Sequence, residues 1–311
     1  MRILLDGLAW IGRYGTQGFA ASIFLGLALP QFAAAARPLL AFCIFGFVTI
    51  TFARVDRVAL RDLLSRPRRL VLASLWLIAA PASLMMVVLA LIGRQHLDPG
   101  LVLGLALFGA APPIMSAPAI AMLLNLPPTL IMAAVLVTTT LAPLTSPFLA
   151  ELIAGAAVPL DRAILVGRLL LLIGGAILGA AILRLWLGAA RLRARKAELD
   201  GLGVVFYFLF AIAAMDGVLA AAMADPGQVA RFLLVAFAAS AAGFAIGFLL
   251  VPLPPAERFV LGYGTGHRNM GLLVAALGAA TPDTTFLFFA LAQVPIYLMP
   301  QLVKPIARRL A

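Results

Sequence analysis

The sequence is short of nearly everything a water-soluble enzyme uses. Charged residues occupy 11% of its 311 positions, where an ordinary soluble domain has about 25%. A single cysteine, Cys43, sits in an apolar run; no disulfide can close within the chain and no thiolate cluster can hold a metal. There is no HExxH, no GxSxG and no pair of aspartates inside the apolar stretches. Zinc, serine and aspartyl mechanisms therefore lack their parts, and the expectation is a protein that is not an enzyme. The net charge of +11 comes from only 23 Lys and Arg. Most fall in short clusters between apolar runs, which fits the cytoplasmic face of a bilayer and not nucleic acid.

What is abundant is apolar. Hydrophobic residues make up 64% of the chain and the mean hydropathy is +1.11, the composition of an integral membrane protein whose first partner is the lipid bilayer. The N-terminal stretch carries Asp6 and lacks a small-residue cleavage site, so it reads as a retained first helix. Apolar runs and their punctuation predict ten membrane helices, at 13–30, 34–54, 70–92, 101–124, 128–150, 163–186, 201–223, 229–251, 257–279 and 283–304.

With ten spans, the basic clusters Arg54 to Arg69 and Arg191 to Lys196 share one side with the tail residues Lys304, Arg308 and Arg309. The opposite connections carry just Arg37, Arg94, Arg162 and Arg231. The positive-inside rule then places both termini in the cytoplasm, and the expected location is the plasma membrane.

Five helices in each half invert the second half relative to the first, the plan of many secondary transporters. The halves are expected at 1–155 and 156–311. Span 4 carries Gly109, Pro112, Pro113 and Pro118, and span 9 carries Gly262, Gly264 and Gly266. Prolines remove backbone donors and glycines weaken continuous helix, so both spans are expected to break near their middles. The next spans also match: each opens at proline (Pro127-Pro128; Pro282) and carries two more late on (Pro143 and Pro147; Pro295 and Pro300).

Polar residues gather at the predicted breaks: Thr265, His267, Arg268 and Asn269 in span 9, and Ser116 in span 4. A guanidinium at the centre of a membrane helix costs about 2.5–3.5 kcal/mol on insertion scales, so Arg268 should face a cavity or a partner. Its fork suits a carboxylate or sulfonate, which broken-helix N-termini would also attract; the alternative is an ion pair with Asp216 of span 7. Asp216 could instead relay protons. His267 could shuttle protons, hydrogen-bond substrate, or be a satisfied buried group. Thr138, Thr139, Thr140 and Gln293 offer neutral oxygens for a polar path or a weakly held cation, although threonine bonding back to its own helix explains the triplet equally well. Arg168 and the run Phe206-Tyr207-Phe208 read as snorkelling and packing. Arg268, Asn269, His267, Thr265 and Ser116 are the candidates for substrate binding, and Asp216, Asn269, Ser116 and Gln293 those for ion coupling.

Three segments, "WIGRYGTQGFAASIFLGLALP", "TITFARVDRVALRDLLSRPRRL" and "GHRNMGLLVAALG", together with the length and order of the spans, resemble the bile acid:sodium symporter family. The resemblance implies a panel of spans 1, 2, 6 and 7, a core of spans 3–5 and 8–10, and spans 4 and 9 crossing at their breaks. It also implies alternating-access transport of an organic anion: a bile-acid-like molecule, a steroid sulfate or a small carboxylate. A sodium ion or a proton would be the coupling ion, with no other cofactor.

The family's second crossover usually has a glutamate four residues before a Gln-Asn pair. Here those positions are Gly264, Arg268 and Asn269, and the Ser-Asn pair of its first crossover is met only by Ser116, followed by Ala117 and Pro118. These departures put sodium coupling at odds with the resemblance.

Overall fold

A computed structural model of the chain describes Gly7 and residues 24–55, 67–155 and 160–310. Most of span 1 and much of the basic connection after span 2 lie outside the described residues.

The named elements of the described residues are all helices, with no strand among them. The elements are α1 (Pro30–Ala36), a tight turn at Arg37–Leu39, α2 (Leu40–Ala53), α3 (Pro67–Ile92), α4 (Pro99–Ala110), α5 (Ala117–Leu123), α6 (Thr129–Ala154) and α7 (Arg162–Leu169). After a wide turn at Leu170–Gly174 come α8 (Gly175–Ala194), α9 (Lys196–Ala214), α10 (Val218–Ala224), α11 (Pro226–Leu250), α12 (Pro255–Gly266), α13 (Met270–Leu277) and α14 (Asp283–Ala307). Among the described residues, seven helical stretches are long and apolar enough to cross a membrane. Bulky apolar side chains stand exposed along them, among them Leu91, Leu171, Leu185 and Trp186, as lipid contact requires. The chain is a multi-pass, all-α membrane protein.

Two compact units divide the molecule: residues 1–55 with 170–229, and residues 56–169 with 230–311. In the first, α2 packs against α8 and α9. Phe206 and Tyr207 meet Phe42 and Phe47 edge-on, so the aromatic run is packing within this unit. Arg184 donates to the carbonyl of Val55 at 2.9 Å. The turn at Met215–Gly217, with Gly217 at φ +75°, interrupts the helix beside Asp216. The Asp216 carboxylate accepts from Arg37 at 3.0 Å. Asp216 is therefore committed to an ion pair, but with Arg37 and not with Arg268.

The second unit is built around α4. Its residues from Gly100 to Ala110 are all buried, which matches a helix apolar on every side. Its start is set by Pro99 and by Asp98, whose carboxylate accepts from the Gly100 and Leu101 amides at 2.8 and 3.1 Å, a sequence-readable cap.

Glycine serves α12 differently from the expectation. Gly262, Gly264 and Gly266 remain helical, and the break follows them at 267–269. A Cβ on Gly266 would collide with the Ser240 carbonyl, and one on Gly262 would lie 2.7 Å from that of Phe244. Facing them, Cβ atoms on Gly243 and Gly247 would lie 2.7 and 2.5 Å from the Cα atoms of Gly266 and Gly262. Two four-residue glycine repeats thus let α11 and α12 touch backbone to backbone, the small-residue packing that membrane helices use where no hydrophobic force drives them together.

Candidate functional site: the crossing of two interrupted helices

In the second unit the breaks meet. Residues 111–116 separate α4 from α5, residues 267–269 separate α12 from α13, and the two segments pair as a short antiparallel bridge between Pro113 and Arg268. Ile114 donates its amide to the His267 carbonyl at 2.9 Å, and Asn269 donates to Pro112 at 2.8 Å. Backbone polar groups buried inside protein must find partners there, and each break supplies partners for the other.

The remaining acceptors follow from the prolines. Pro112 and Pro113 cannot donate to the carbonyls of Phe108 and Gly109, which ends α4. The Ala110 carbonyl takes the Ser146 hydroxyl at 2.8 Å. In α3, Pro81 leaves the Leu77 carbonyl without its helical donor, and Arg268 Nη2 fills that place at 2.8 Å. The same nitrogen donates to Ala111 at the end of α4, while Nη1 donates to Gly264 in the last turn of α12 at 3.0 Å. Arg268 is 2% exposed. Hydrogen bonds to a charged group contribute about 1.5–3 kcal/mol each, and the ends of α4 and α12 carry partial negative charge. That combination explains how a guanidinium tolerates full burial.

His267 lies flat on Tyr263, ring centroids 4.0 Å apart, with Nδ1 donating to the Tyr263 carbonyl at 2.9 Å. Tyr263 makes a long 3.4 Å bond to the Ile296 carbonyl, again an acceptor that a proline, Pro300, leaves open. Thr265 is fully buried; its hydroxyl donates to Leu261 at 2.7 Å and accepts from the Trp76 indole at 3.1 Å. Two adjacent residues keep one buried nitrogen each without a partner among the described residues: His267 Nε2 and Arg268 Nε.

Ser116 and Asn269 differ from their neighbours. Both are half-buried, and they occupy the same place, Ser116 immediately before α5 and Asn269 immediately before α13. Serine and asparagine at such positions ordinarily bond the first amides of the helix. Neither side chain does so here.

The structure thus brings Thr265, His267, Arg268, Asn269 and Ser116 together. Gln293 bonds within α14 to Phe289 at 3.0 Å, and Asp216 belongs to the other unit. Thr138 and Thr140 bond back to Ala134 and Leu136 at 2.7 and 2.8 Å. The sequence reading missed Tyr263, Trp76, Ser146 and the carbonyls of Ala111 and Leu77. Pro81 inside an otherwise continuous helix is the signal that could have pointed to the last.

A sodium ion does not fit these residues. No carboxylate stands at position 264, where a Cβ would lie 2.8 Å from Ile131 and 3.2 Å from Leu77, and three of the carbonyls already accept from a guanidinium. Among the described residues no three His, Cys, Asp or Glu side chains gather into a metal-binding group. No protein-family model and no curated protein matches the chain.

Proposed function

We propose that the chain is a secondary transporter of an organic anion, built on the plan of the bile acid:sodium symporters and working by alternating access in the plasma membrane with both termini cytoplasmic. The observation that carries this reading is the crossing itself: interrupted helices meeting at polar side chains inside an apolar protein, which is where secondary transporters place their substrates.

Matching element lengths support ten spans in two inverted repeats, 1–155 and 156–311. Helix α3 has 26 residues and α11 has 25; α4 and α12 have 12 each; α5 has 7 and α13 has 8; α6 has 26 and α14 has 25. The two compact units support panel and core, because they draw on the spans that the resemblance assigns to each.

In this reading Ser116 and Asn269 contact the anion. The N-terminus of α13 and the charge of Arg268 supply positive potential, and Arg268 itself stays behind the contact surface. The substrate is a carboxylate, sulfonate or sulfate on an organic body. A non-transporting receptor or an enzyme gives no reason for two matched interruptions that partner each other.

The test is a thermal-stability screen of the purified protein against organic carboxylates, sulfonates and sulfates, followed by uptake into proteoliposomes. An anion that stabilises the protein, loses that effect in Asn269→Ala and Ser116→Ala, and accumulates in vesicles is the expected result. Binding without accumulation contradicts transport.

A further inference from the structure

We infer that Arg268 is a tethered cation: its guanidinium permanently fills a cage of backbone carbonyls at the crossing that would otherwise receive an exchangeable monovalent cation. The inference rests on the transport reading for its consequence, but its geometry stands alone.

Three features carry it. First, the acceptors come from three separate helices: Leu77 of α3, Ala111 at the end of α4 and Gly264 in the last turn of α12. Each is a carbonyl its own helix cannot satisfy, one because of Pro81 and two because the helix stops. Converging carbonyls at the C-terminal ends of interrupted helices are how membrane transporters coordinate cations. Second, the guest is a charge fixed to the chain, buried to 2% exposure and attached one residue before Asn269. Third, among the described residues Arg268 bonds to carbonyls and to no carboxylate, so no negative side chain there offsets a second positive ion. Position 264 is a glycine packed against Ile131 and Leu77, and a free cation beside a guanidinium is repelled through a low-dielectric interior.

The functional consequence concerns coupling. A symporter whose cage empties must rebind its ion in each cycle, which ties substrate movement to that ion's gradient. A cage filled from within keeps its charge in every state. Anion binding then needs no sodium, and the charge moved per cycle is that of the anion alone.

The experiment uses full-length protein in detergent at constant ionic strength. Wild-type melting temperature should be the same in sodium, potassium and N-methylglucamine chloride, because the cage is closed to ions that would otherwise stabilise the fold by mass action. Arg268→Ala should melt lower and open a guanidinium-sized space lined by the Leu77, Ala111 and Gly264 carbonyls. Millimolar guanidinium should raise the melting temperature of that variant saturably while leaving wild type unmoved.

A sodium-specific rise in wild type overturns the inference. So does a guanidinium response that is identical in the two proteins. Should Arg268→Ala not accumulate folded, Arg268→Lys keeps a charge while losing the fork, and the wild-type ion comparison remains decisive. These readouts involve no substrate, so failure to find a transported anion counts against the transport reading and leaves this one standing.

Discussion

Arg268 donates to the carbonyl of Leu77 at 2.8 Å, the acceptor that Pro81 leaves without a helical partner four residues later. A proline in one helix and an arginine in another are therefore energetically linked through a third residue's backbone. Pro81→Ala would return a donor to Leu77 and weaken the claim of Arg268 on it. In a double-mutant cycle, Arg268→Ala is expected to cost less stability in the Pro81→Ala background than in wild type, with a coupling of about 0.5–3 kcal/mol. Chemical or thermal unfolding of the four proteins measures it; strict additivity would deny the link.

The glycine contact between α11 and α12 gives a second prediction. Gly266→Ala drives a methyl group into the Ser240 carbonyl, and forced insertions into packed interiors cost about 1–3 kcal/mol. A methyl group at Gly203 would meet nothing within 4 Å, so Gly203→Ala should be neutral or mildly stabilising. Melting temperatures of the two variants separate close approach from a general sensitivity of helical glycine.

The sequence exposed some of this and hid the rest for physical reasons. Pro112, Pro113 and Pro118 announce an interruption because a missing amide is written in the residue name. Gly262 and Gly266 read as helix-breakers, yet they hold a helix against its neighbour, because nothing local says whether a glycine is chosen for its backbone freedom or for its missing side chain. Arg268 was legible as a buried charge in need of a partner, but its partners are backbone carbonyls, which leave no mark in a sequence. Asp216 was legible as the other membrane charge. Its pairing with Arg37, 179 positions away in the chain, depends on tertiary packing alone. Ser116 and Asn269 were visible as polar residues at the breaks; that neither caps its helix is a property of the folded backbone.

The Arg37 to Asp216 pair should be structural. Its side chains are 35% and 17% exposed, so a coupling of about 0.2–1 kcal/mol is appropriate for the pair. Arg37→Ala and Asp216→Ala should each lower the melting temperature, and the exchange Arg37→Asp with Asp216→Arg should recover part of the loss. If Asp216 relayed protons instead, Asp216→Asn would flatten the pH dependence of uptake; the ion pair predicts a retained profile with a lowered melting temperature.

Arg168 donates to the carbonyls of Ala276 and Leu277 at 3.2 and 2.8 Å, closing the C-terminal end of α13 where a cation is favoured. Arg168→Gln should destabilise by about 0.3–2 kcal/mol, read as a lower melting temperature. Because this end is remote along the helix from Asn269, anion affinity should hold. A large affinity loss with unchanged stability would contradict the capping role.

The most direct test of the account is uptake by proteoliposomes, in sodium-free medium, of the organic anion that most stabilises the purified protein, comparing wild type with Asn269→Ala. The account predicts accumulation in wild type without sodium, no gain when a sodium gradient is imposed, and loss in the variant. Accumulation that appears only with a sodium gradient, or that survives unchanged in Asn269→Ala, would contradict it.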